Sequence, residues 1–192
     1  MTNYVKSVNM GGALEVLRKT GRGAFRTREY AALVGNSGYA RVALHRLKKK
    51  GEIFLVKRGW WAFANAAPEA IACRVSEPCF VSFHSALYLH GLTTQIPKFV
   101  QLAVLRNAKS YEIPGYKAKE YKIKRGFFKG FKAKDGVLLA TPEKAFADCL
   151  NVPRACPKAI MLEAMQGISL DEARKTLSAS GLRRFERLVK NA

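Results

Sequence analysis

Few side chains in this sequence combine the residue types and the spacing that enzymatic chemistry requires. The strongest candidates are Asp135, Glu143 and Lys144, whose order along the chain could suggest a nuclease. Glu143 and Lys144 directly follow Pro142, however, and this order predicts the first turn of a helix, where Glu143 would interact favourably with the helix dipole. Asp148 lies four residues after Lys144, the spacing of an ion pair along one helix face. We therefore predict structural roles for these residues and no catalytic site.

The cysteines and histidines also lack the spacing of a metal or nucleophile site. The four cysteines are Cys73, Cys79, Cys149 and Cys156. They form no C-x-x-C pair, and with three histidines in the chain a four-ligand zinc site would need distant pieces. His84 and His90, six residues apart, do not share a helix face. Because phosphate-binding glycine loops and G-x-S-x-G elbows are also missing, we predict buried thiols, structural histidines, no metal and no cofactor.

The charge of the chain points instead to a polyanionic partner. It contains 34 Lys and Arg against 14 Asp and Glu, a net charge of 34 − 14 = +20. Clustered cations bind phosphates with release of counterions, so nucleic acid is the first candidate partner. A membrane surface is less favoured, because no long apolar helical face accompanies the basic stretches. A charged surface that serves only solubility is the other alternative.

The cellular location is predicted from signals that the sequence lacks. Residues 1–12 show no basic start followed by an apolar run, which a secretory leader requires. No window approaches the ~18 apolar residues that span a bilayer. The four cysteines fit a reducing compartment without disulfides. These features predict a cytoplasmic protein that does not contact a membrane.

The first 64 residues must position many of the basic side chains, and their pattern predicts a chain of short helices. Leu14 and Leu17, spaced i, i+3 before a glycine-containing turn, predict the first helix. A short extended piece follows. Thr27 is then a candidate N-cap for a second helix that ends at Gly35.

The third predicted helix has one apolar face and one basic face. It extends from Asn36 or Ser37 to about Lys50 and is closed by Gly51. Its apolar face consists of Ala40, Ala43, Leu44 and Leu47. Its opposite face and flanks consist of Ser37, Gly38, Arg41, Val42, His45, Arg46, Lys48 and Lys49. Such a helix fits the major groove of duplex DNA, where Gly38 would allow a close backbone approach and Arg41 is best placed to reach base edges.

After the third helix, the sequence predicts a two-stranded hairpin with a basic tip. The run "IFLVK" alternates along one strand, "WWAF" forms the return strand, and Lys57, Arg58 and Gly59 lie between them. Residues 1–64 carry 13 Lys and Arg and 3 Asp and Glu, so this pattern predicts a DNA-binding winged helix-turn-helix domain at residues 1–66. A small α+β module that contacts protein is the alternative. The predicted DNA-binding residues are Thr27, Arg28, Ser37, Gly38, Tyr39, Arg41, Val42, His45, Arg46, Lys48, Lys49, Lys57 and Arg58.

Residues 67–192 predict a second, mixed α+β domain with a helical C-terminus. A short linker at residues 65–68 precedes "EPCFVSFHSALYLHGL", which predicts a strand and then a helix capped by Ser82. "KFVQLAVL" and "AKEYKI" predict strands. "DGVLLATPEKAFADCL" predicts a strand followed by a helix with Thr141 as N-cap. The remaining sequence is helical in pattern and includes "SLDE", which has the spacing of a capping box.

Several of these segments, taken in order, resemble one known family. "ALEVLRK", "FRTREYAALVG" and "LHRLKKKGEIFLVKRGWWAF" look like the N-terminal winged helix of AbiEi-type antitoxins, regulators of type IV toxin–antitoxin systems. "VSFHSALYLHGL" with "QIPKFVQLAV" is similar to the opening of the AbiEi antitoxin domain, and "LLATPEKAFADCL" to its T-P-E-[RK]-A-x-x-D helix. The resemblance covers most of residues 10–150. It implies a DNA-binding head that represses its own operon and a C-terminal domain that counteracts, directly or indirectly, a nucleotidyltransferase-like toxin.

The tract of residues 117–134 is the most basic part of the second domain. It contains eight basic residues and one acid, with aromatic residues between them. Cations that alternate with aromatic rings can bind phosphates and stack on bases. The alternatives are an edge hairpin, whose lysines discourage strand pairing while its aromatics enter the core, and a protein-binding patch. The candidate residues of an auxiliary nucleic-acid surface are Lys117, Lys119, Lys122, Lys124, Arg125, Lys129 and Lys132.

Together these patterns predict an α+β protein that is a DNA-binding transcriptional regulator and antitoxin and not an enzyme. Its expected partners are double-stranded operator DNA and a cognate toxin of nucleotidyltransferase type. A protein-interaction module with a nonspecific nucleic-acid anchor is the main alternative, and an enzyme acting on nucleic acid is a weaker one. A homodimer would suit two operator half-sites, but no heptad pattern or long dimerisation helix is evident.

Overall fold

The computed structural model describes residues 9–190 and has a mixed α+β fold. Its first part is called here the N-terminal module (residues 9–66). Its elements are α1 (Met10–Arg18), β1 (Ala24–Arg26), α2 (Thr27–Val34), α3 (Ser37–Lys49), β2 (Ile53–Lys57) and β3 (Trp60–Phe63). The three strands form a small antiparallel sheet in the order β1-β3-β2. The three helices and this sheet enclose a core in which Tyr30 and Leu44 are fully buried.

The rest of the chain, called here the C-terminal module (residues 67–190), is built on a six-stranded mixed sheet. Its strands are β4 (Cys79–Val81), β5 (Val100–Val104), β6 (Ser110–Ile113), β7 (Tyr116–Lys122), β8 (Phe131–Lys134) and β9 (Val137–Ala140). Its helices are α4 (Pro68–Ser76), α5 (Phe83–Leu89), α6 (Pro142–Asn151), α7 (Lys158–Met165), α8 (Leu170–Arg174) and α9 (Ala179–Val189). The strand order is β6-β7-β5-β4-β9-β8, with parallel pairing of β5 to β7 and of β4 to β9.

The centre of this sheet is covered on both faces. Every residue of β4 and β5 is buried, in place of the alternation that a half-exposed strand shows. Helix α4 packs against β5 and β4, while α5 packs against β5 and against α6. Phe80 and Leu102 lie at the middle of this core. The outer strand β8 is mostly exposed, so the centre of the sheet is buried and this edge faces solvent.

The structure confirms the predicted α+β class and several predicted helix ends. Thr141 caps α6 by accepting a hydrogen bond from the Lys144 backbone, and Pro142 opens the helix. Ser169 likewise accepts from the Glu172 backbone at the start of α8. Gly35 ends α2 in the left-handed conformation with φ 71°. These caps were visible in the sequence because each depends on a few adjacent residues.

Three local predictions were wrong. Thr27 does not cap α2 but is its first residue, and its hydroxyl instead accepts a hydrogen bond from the Trp61 indole. Ser82 precedes α5 without capping it through its side chain, because its hydroxyl donates to Asp148. The linker predicted at residues 65–68 runs directly into α4, a helix that the sequence pattern did not suggest.

The two modules meet closely at Gly23, which lies just before β1. A Cβ atom added at this position would lie 2.6 Å from the Ile71 backbone nitrogen and 2.7 Å from the Ala70 carbonyl carbon, both in α4. Strand β2 of the N-terminal module also lies beside β6 of the C-terminal module. The small sheet thus contacts both α4 and one edge of the large sheet.

We expect Gly23→Ala to lower the free energy of unfolding by about 1–3 kcal/mol, because backbone atoms of α4 would have to move. Chemical denaturation measures this value. Gly126→Ala is the matched control, since no atom lies within 4 Å of its added Cβ and its φ is not positive. If both variants had equal stability, the contact at Gly23 would not restrict the approach of the modules.

Candidate nucleic-acid interface

Helix α3 is positioned by its cap and by its buried face. The Asn36 side chain accepts a hydrogen bond from the Tyr39 backbone over 2.8 Å and so satisfies one free donor at the helix start. Ala40, Ala43, Leu44 and Leu47 are all buried, as the pattern predicted. Complete burial of a leucine contributes roughly 1.5–3 kcal/mol, so this apolar face determines how α3 lies on α2 and β2.

The opposite face of α3 is open along its whole length. The exposed residues predicted to contact DNA are Ser37, Gly38, Tyr39, Arg41, Val42, His45, Arg46, Lys48 and Lys49. Within residues 9–190, the four cations of this face form no ion pair or side-chain hydrogen bond. Tyr39 and Val42 are 44% and 50% exposed, so this face also presents two large side chains to solvent beside its cations. The structure therefore brings nine of the predicted residues onto one surface.

The two remaining predicted residues of α2 differ in accessibility. Arg28 is exposed at the first turn of the helix. Thr27 is half-buried, and its hydroxyl is 2.8 Å from the Trp61 indole nitrogen. Thr27 therefore links the start of α2 to β3. Of these two residues, only Arg28 exposes its polar group to solvent.

The hairpin between β2 and β3 exposes one of its two predicted DNA-binding cations to solvent, while the other faces the C-terminal module. Arg58 is exposed at the turn. Lys57 is the last residue of β2, and its ammonium lies 3.4 Å from the Val75 carbonyl oxygen and 4.9 Å from the centre of the Tyr111 ring. Burial lowers the pKa of Lys57, against the opposing influence of Glu120. Lys57 thus faces the C-terminal module, unlike the basic tip that the sequence predicted.

The predicted auxiliary surface divides into two groups. Lys117 pairs with Glu112 over 3.1 Å, and Lys122 donates to the Asn107 side chain over 3.2 Å. The Lys119 ammonium lies over the rings of Phe99 and Tyr121. Lys124, Arg125, Lys129 and Lys132 are exposed and have no such partners in the described part of the chain.

The aromatic residues of this tract serve the core. Phe131 stacks on Phe80 with ring centres 4.6 Å apart, and Phe128 contacts both rings edge-on. Tyr121 is buried against Phe83. Because these rings face inward, they are not available to stack on bases, and the exposed cations of the tract are the groups left to contact a nucleic acid.

Of the candidate catalytic residues, Lys144 has a structural partner, whereas Asp135 and Glu143 form no ion pair or side-chain hydrogen bond within residues 9–190. Lys144 and Asp148 form the predicted ion pair, and both are buried. The second oxygen of Asp148 accepts a hydrogen bond from Ser82 over 2.8 Å. A cleft of about 220 Å³ reaches Asp148, but both of its oxygens are already engaged. The Lys144–Asp148 pair therefore offers neither a free base nor a nucleophile.

The cysteines are buried and two of the histidines contact the backbone. All four cysteines are buried, and burial raises the pKa of the Cys149 thiol. His84 and His90 each contact a backbone carbonyl at 2.8 Å, that of Gln95 and that of Ala140 respectively. Within residues 9–190, no group of three or more metal-binding side chains lies close enough to hold an ion.

Among the helices of residues 9–190, none is long and apolar enough to span a bilayer. The first eight residues, on which the expectation about a leader partly depends, lie outside the described residues.

Comparison with known proteins identifies a shared fold. No protein-family model matches the chain, and no curated protein matches it by sequence. The crystal structure of the RV2827C protein from Mycobacterium tuberculosis is similar, with a TM-score of 0.62. The alignment covers 92% of this chain and 74% of that chain, at 13% sequence identity. At this identity the similarity concerns the fold alone: both chains share one α+β architecture through most of their length.

Sequence reasoning missed the residues that join the two modules. Trp60, Arg74 and Glu29 form one cluster, although they come from β3, α4 and α2. Arg106 and Glu120, which both belong to the C-terminal module, form a second cluster that sequence reasoning also missed. Its two charge-assisted hydrogen bonds of 2.6 and 2.7 Å hold a nearly buried carboxylate. No local pattern signals such partners, because each pair is distant in sequence.

Proposed function

We propose that this protein is a sequence-specific DNA-binding transcriptional regulator whose N-terminal module is a winged helix. The element order from α1 to β3 and the sheet order β1-β3-β2 support the winged-helix interpretation. Helix α3 would lie in the major groove, and Arg58 would contact the backbone from the hairpin. The observation that carries the proposal is the outer face of α3, where four cations without an ion-pair partner among residues 9–190 accompany exposed Tyr39 and Val42.

The charges of α3 divide into two proposed roles. Arg41 lies near the N-terminal end, the part of a recognition helix that contacts base edges, and its fork can donate two hydrogen bonds to guanine. Arg46, Lys48 and Lys49 lie in the last turns and would neutralise phosphates. Specificity therefore depends on Arg41, while the salt dependence of binding depends more on the other three.

We expect Arg41→Ala to weaken binding to the protein's own upstream DNA by roughly 1–3 kcal/mol, with a much smaller loss on a scrambled duplex. Lys49→Ala should weaken binding to both duplexes alike and reduce the salt slope by about 1. Fluorescence anisotropy across a salt series measures both effects. Equal losses on both duplexes from both variants would exclude base contact by Arg41. Equal wild-type binding to both duplexes, collapsing as salt rises, would leave only a nonspecific nucleic-acid anchor.

We further propose that the C-terminal module acts as an antitoxin against a nucleotidyltransferase-like toxin. The segments that resemble AbiEi proteins support this role, since they occupy β4, α5 and β5 and then β9 and α6, elements that pack together. Co-expression with a neighbouring toxin gene tests it by cell growth. Arg41→Ala should lose repression and still restore growth. Toxicity that the wild-type protein does not relieve would contradict the antitoxin role.

A further inference from the structure

One side chain of the C-terminal module reaches directly into the N-terminal module. Arg74, near the end of α4, donates through one guanidinium nitrogen to Glu29 of α2 over 2.6 Å. Its other terminal nitrogen donates to Glu77 over 2.6 Å, just beyond its own helix. The Arg74 side chain is 15% exposed and that of Glu29 27%, so their contact is largely shielded from water, whereas Glu77 is 57% exposed. Charge-assisted bonds of this length are strong and directional.

Glu29 connects this contact to the DNA-binding surface. Its second carboxylate oxygen accepts a hydrogen bond of 2.5 Å from the Arg26 backbone at the start of α2. Helix α2 ends at Gly35 and is followed almost at once by α3, and the two helices share a buried interface that includes Tyr30 and Leu44. A shift at the start of α2 would therefore be transmitted to α3 as a movement of a packed pair.

Trp60 is the centre of the same junction. Its ring is 8% exposed, and the guanidinium of Arg26 lies 4.5 Å from its centre. The Arg74 guanidinium lies 5.8 Å and the Lys57 ammonium 5.9 Å from that centre. Cations from β1, from α4 and from the end of β2 thus contact one ring. The junction fixes the start of α2 and the base of the hairpin together.

The energetics of this junction favour a positioning role over a purely stabilising one. A shielded ion pair gains little net stability, because the desolvation of both charges offsets their attraction. The Arg74 Nε atom is buried and has no hydrogen-bond partner among the described residues, which is a further cost. What such a pair supplies is a defined geometry between two elements.

We propose that Arg74 is a positioning residue for DNA binding: through Glu29 it holds α2 and α3 at the angle that places Arg41 in the major groove. The DNA affinity of the N-terminal module then depends on the position of α4 in the C-terminal module. A partner that displaced α4 would weaken operator binding without touching α3. This inference rests on the proposed DNA-binding function.

A double-mutant cycle on operator affinity tests the proposal. Arg74→Met keeps an apolar contact with Trp60 but removes the pair, and Glu29→Gln keeps an acceptor for the Arg26 backbone. Each single variant should bind the operator about tenfold more weakly, and the double variant no more weakly than either one. The salt slope should stay unchanged, because neither residue contacts phosphate. All variants are assayed well below their melting temperatures.

Two comparisons separate positioning from general damage. Glu77→Gln removes the other ion pair of Arg74 and should leave operator affinity near wild type. Arg74→Met combined with Arg41→Ala should lose less affinity than the product of the two single losses, because Arg74 acts partly by positioning Arg41. Unchanged affinity in Arg74→Met, or multiplied losses in the Arg74→Met/Glu29→Gln double variant, would overturn the inference. If Arg41→Ala had no effect on operator binding either, the proposed function itself would fail.

Discussion

Replacing Lys144 by methionine is expected to lower the free energy of unfolding by about 3–5 kcal/mol at pH 7. Lys144 and Asp148 are 1% and 0% exposed, so the variant would leave a carboxylate in the core with only the Ser82 hydroxyl as a partner. Urea denaturation at neutral pH measures the loss. Lys175→Met is the matched control. It breaks an exposed ion pair with Glu172, three residues earlier in the chain, and should lower the free energy of unfolding by under about 0.5 kcal/mol.

The deficit of Lys144→Met should become smaller at pH 5 than at pH 7. Burial raises the pKa of Asp148 above its ordinary value, while Lys144 and the Ser82 hydrogen bond oppose that rise. Without Lys144 the pKa would rise further. A carboxyl whose pKa is higher in the folded than in the unfolded state contributes stability that is present below the unfolded pKa and is lost as the pH rises through the folded pKa. A deficit relative to wild type that does not change between these pH values would contradict burial of a charged Asp148.

The second large effect is expected from Phe80→Ala, which should cost about 3–5 kcal/mol of unfolding free energy. Phe80 is fully buried on β4, and the rings of Phe128 and Phe131 pack on it. Its removal leaves a cavity beneath the basic tract that neighbouring strands cannot fill without moving. Tyr116→Ala on β7, where the side chain is 43% exposed, is the control and should change stability by under about 0.5 kcal/mol. Similar losses in both variants would show that the tract's aromatics do not belong to the core.

The parts of the fold that could be predicted are those encoded by neighbouring residues. The apolar face of α3, its closing glycine, and the cap of α6 each depend on residues within four positions of one another. The buried strands β4 and β5 were likewise visible as short apolar runs. Exposure of the predicted α3 surface follows from the same helical period, because burial of one face leaves the other in water.

What the sequence could not reveal depends on partners that are distant along the chain. Lys57 was predicted at a basic tip, but Tyr111 and the Val75 carbonyl draw its ammonium toward the C-terminal module. Thr27 has the residue type of an N-cap, yet its hydroxyl accepts a hydrogen bond from the Trp61 indole instead. Helix α4 has no side-chain cap and carries buried residues on more than one side, so its pattern lacks a clear amphipathic signal.

The two hydrophobic cores have different consequences for how the chain folds during synthesis. Among the described residues, the buried part of the N-terminal core consists of side chains between Ala13 and Phe63, so this core can close once β3 has left the ribosome. The large sheet cannot, because β4 pairs with β9 through Val81 and Leu139, which lie far apart in sequence. A ribosome that has released β5 but not β9 would carry a closed N-terminal module beside a sheet whose central strand has an open edge.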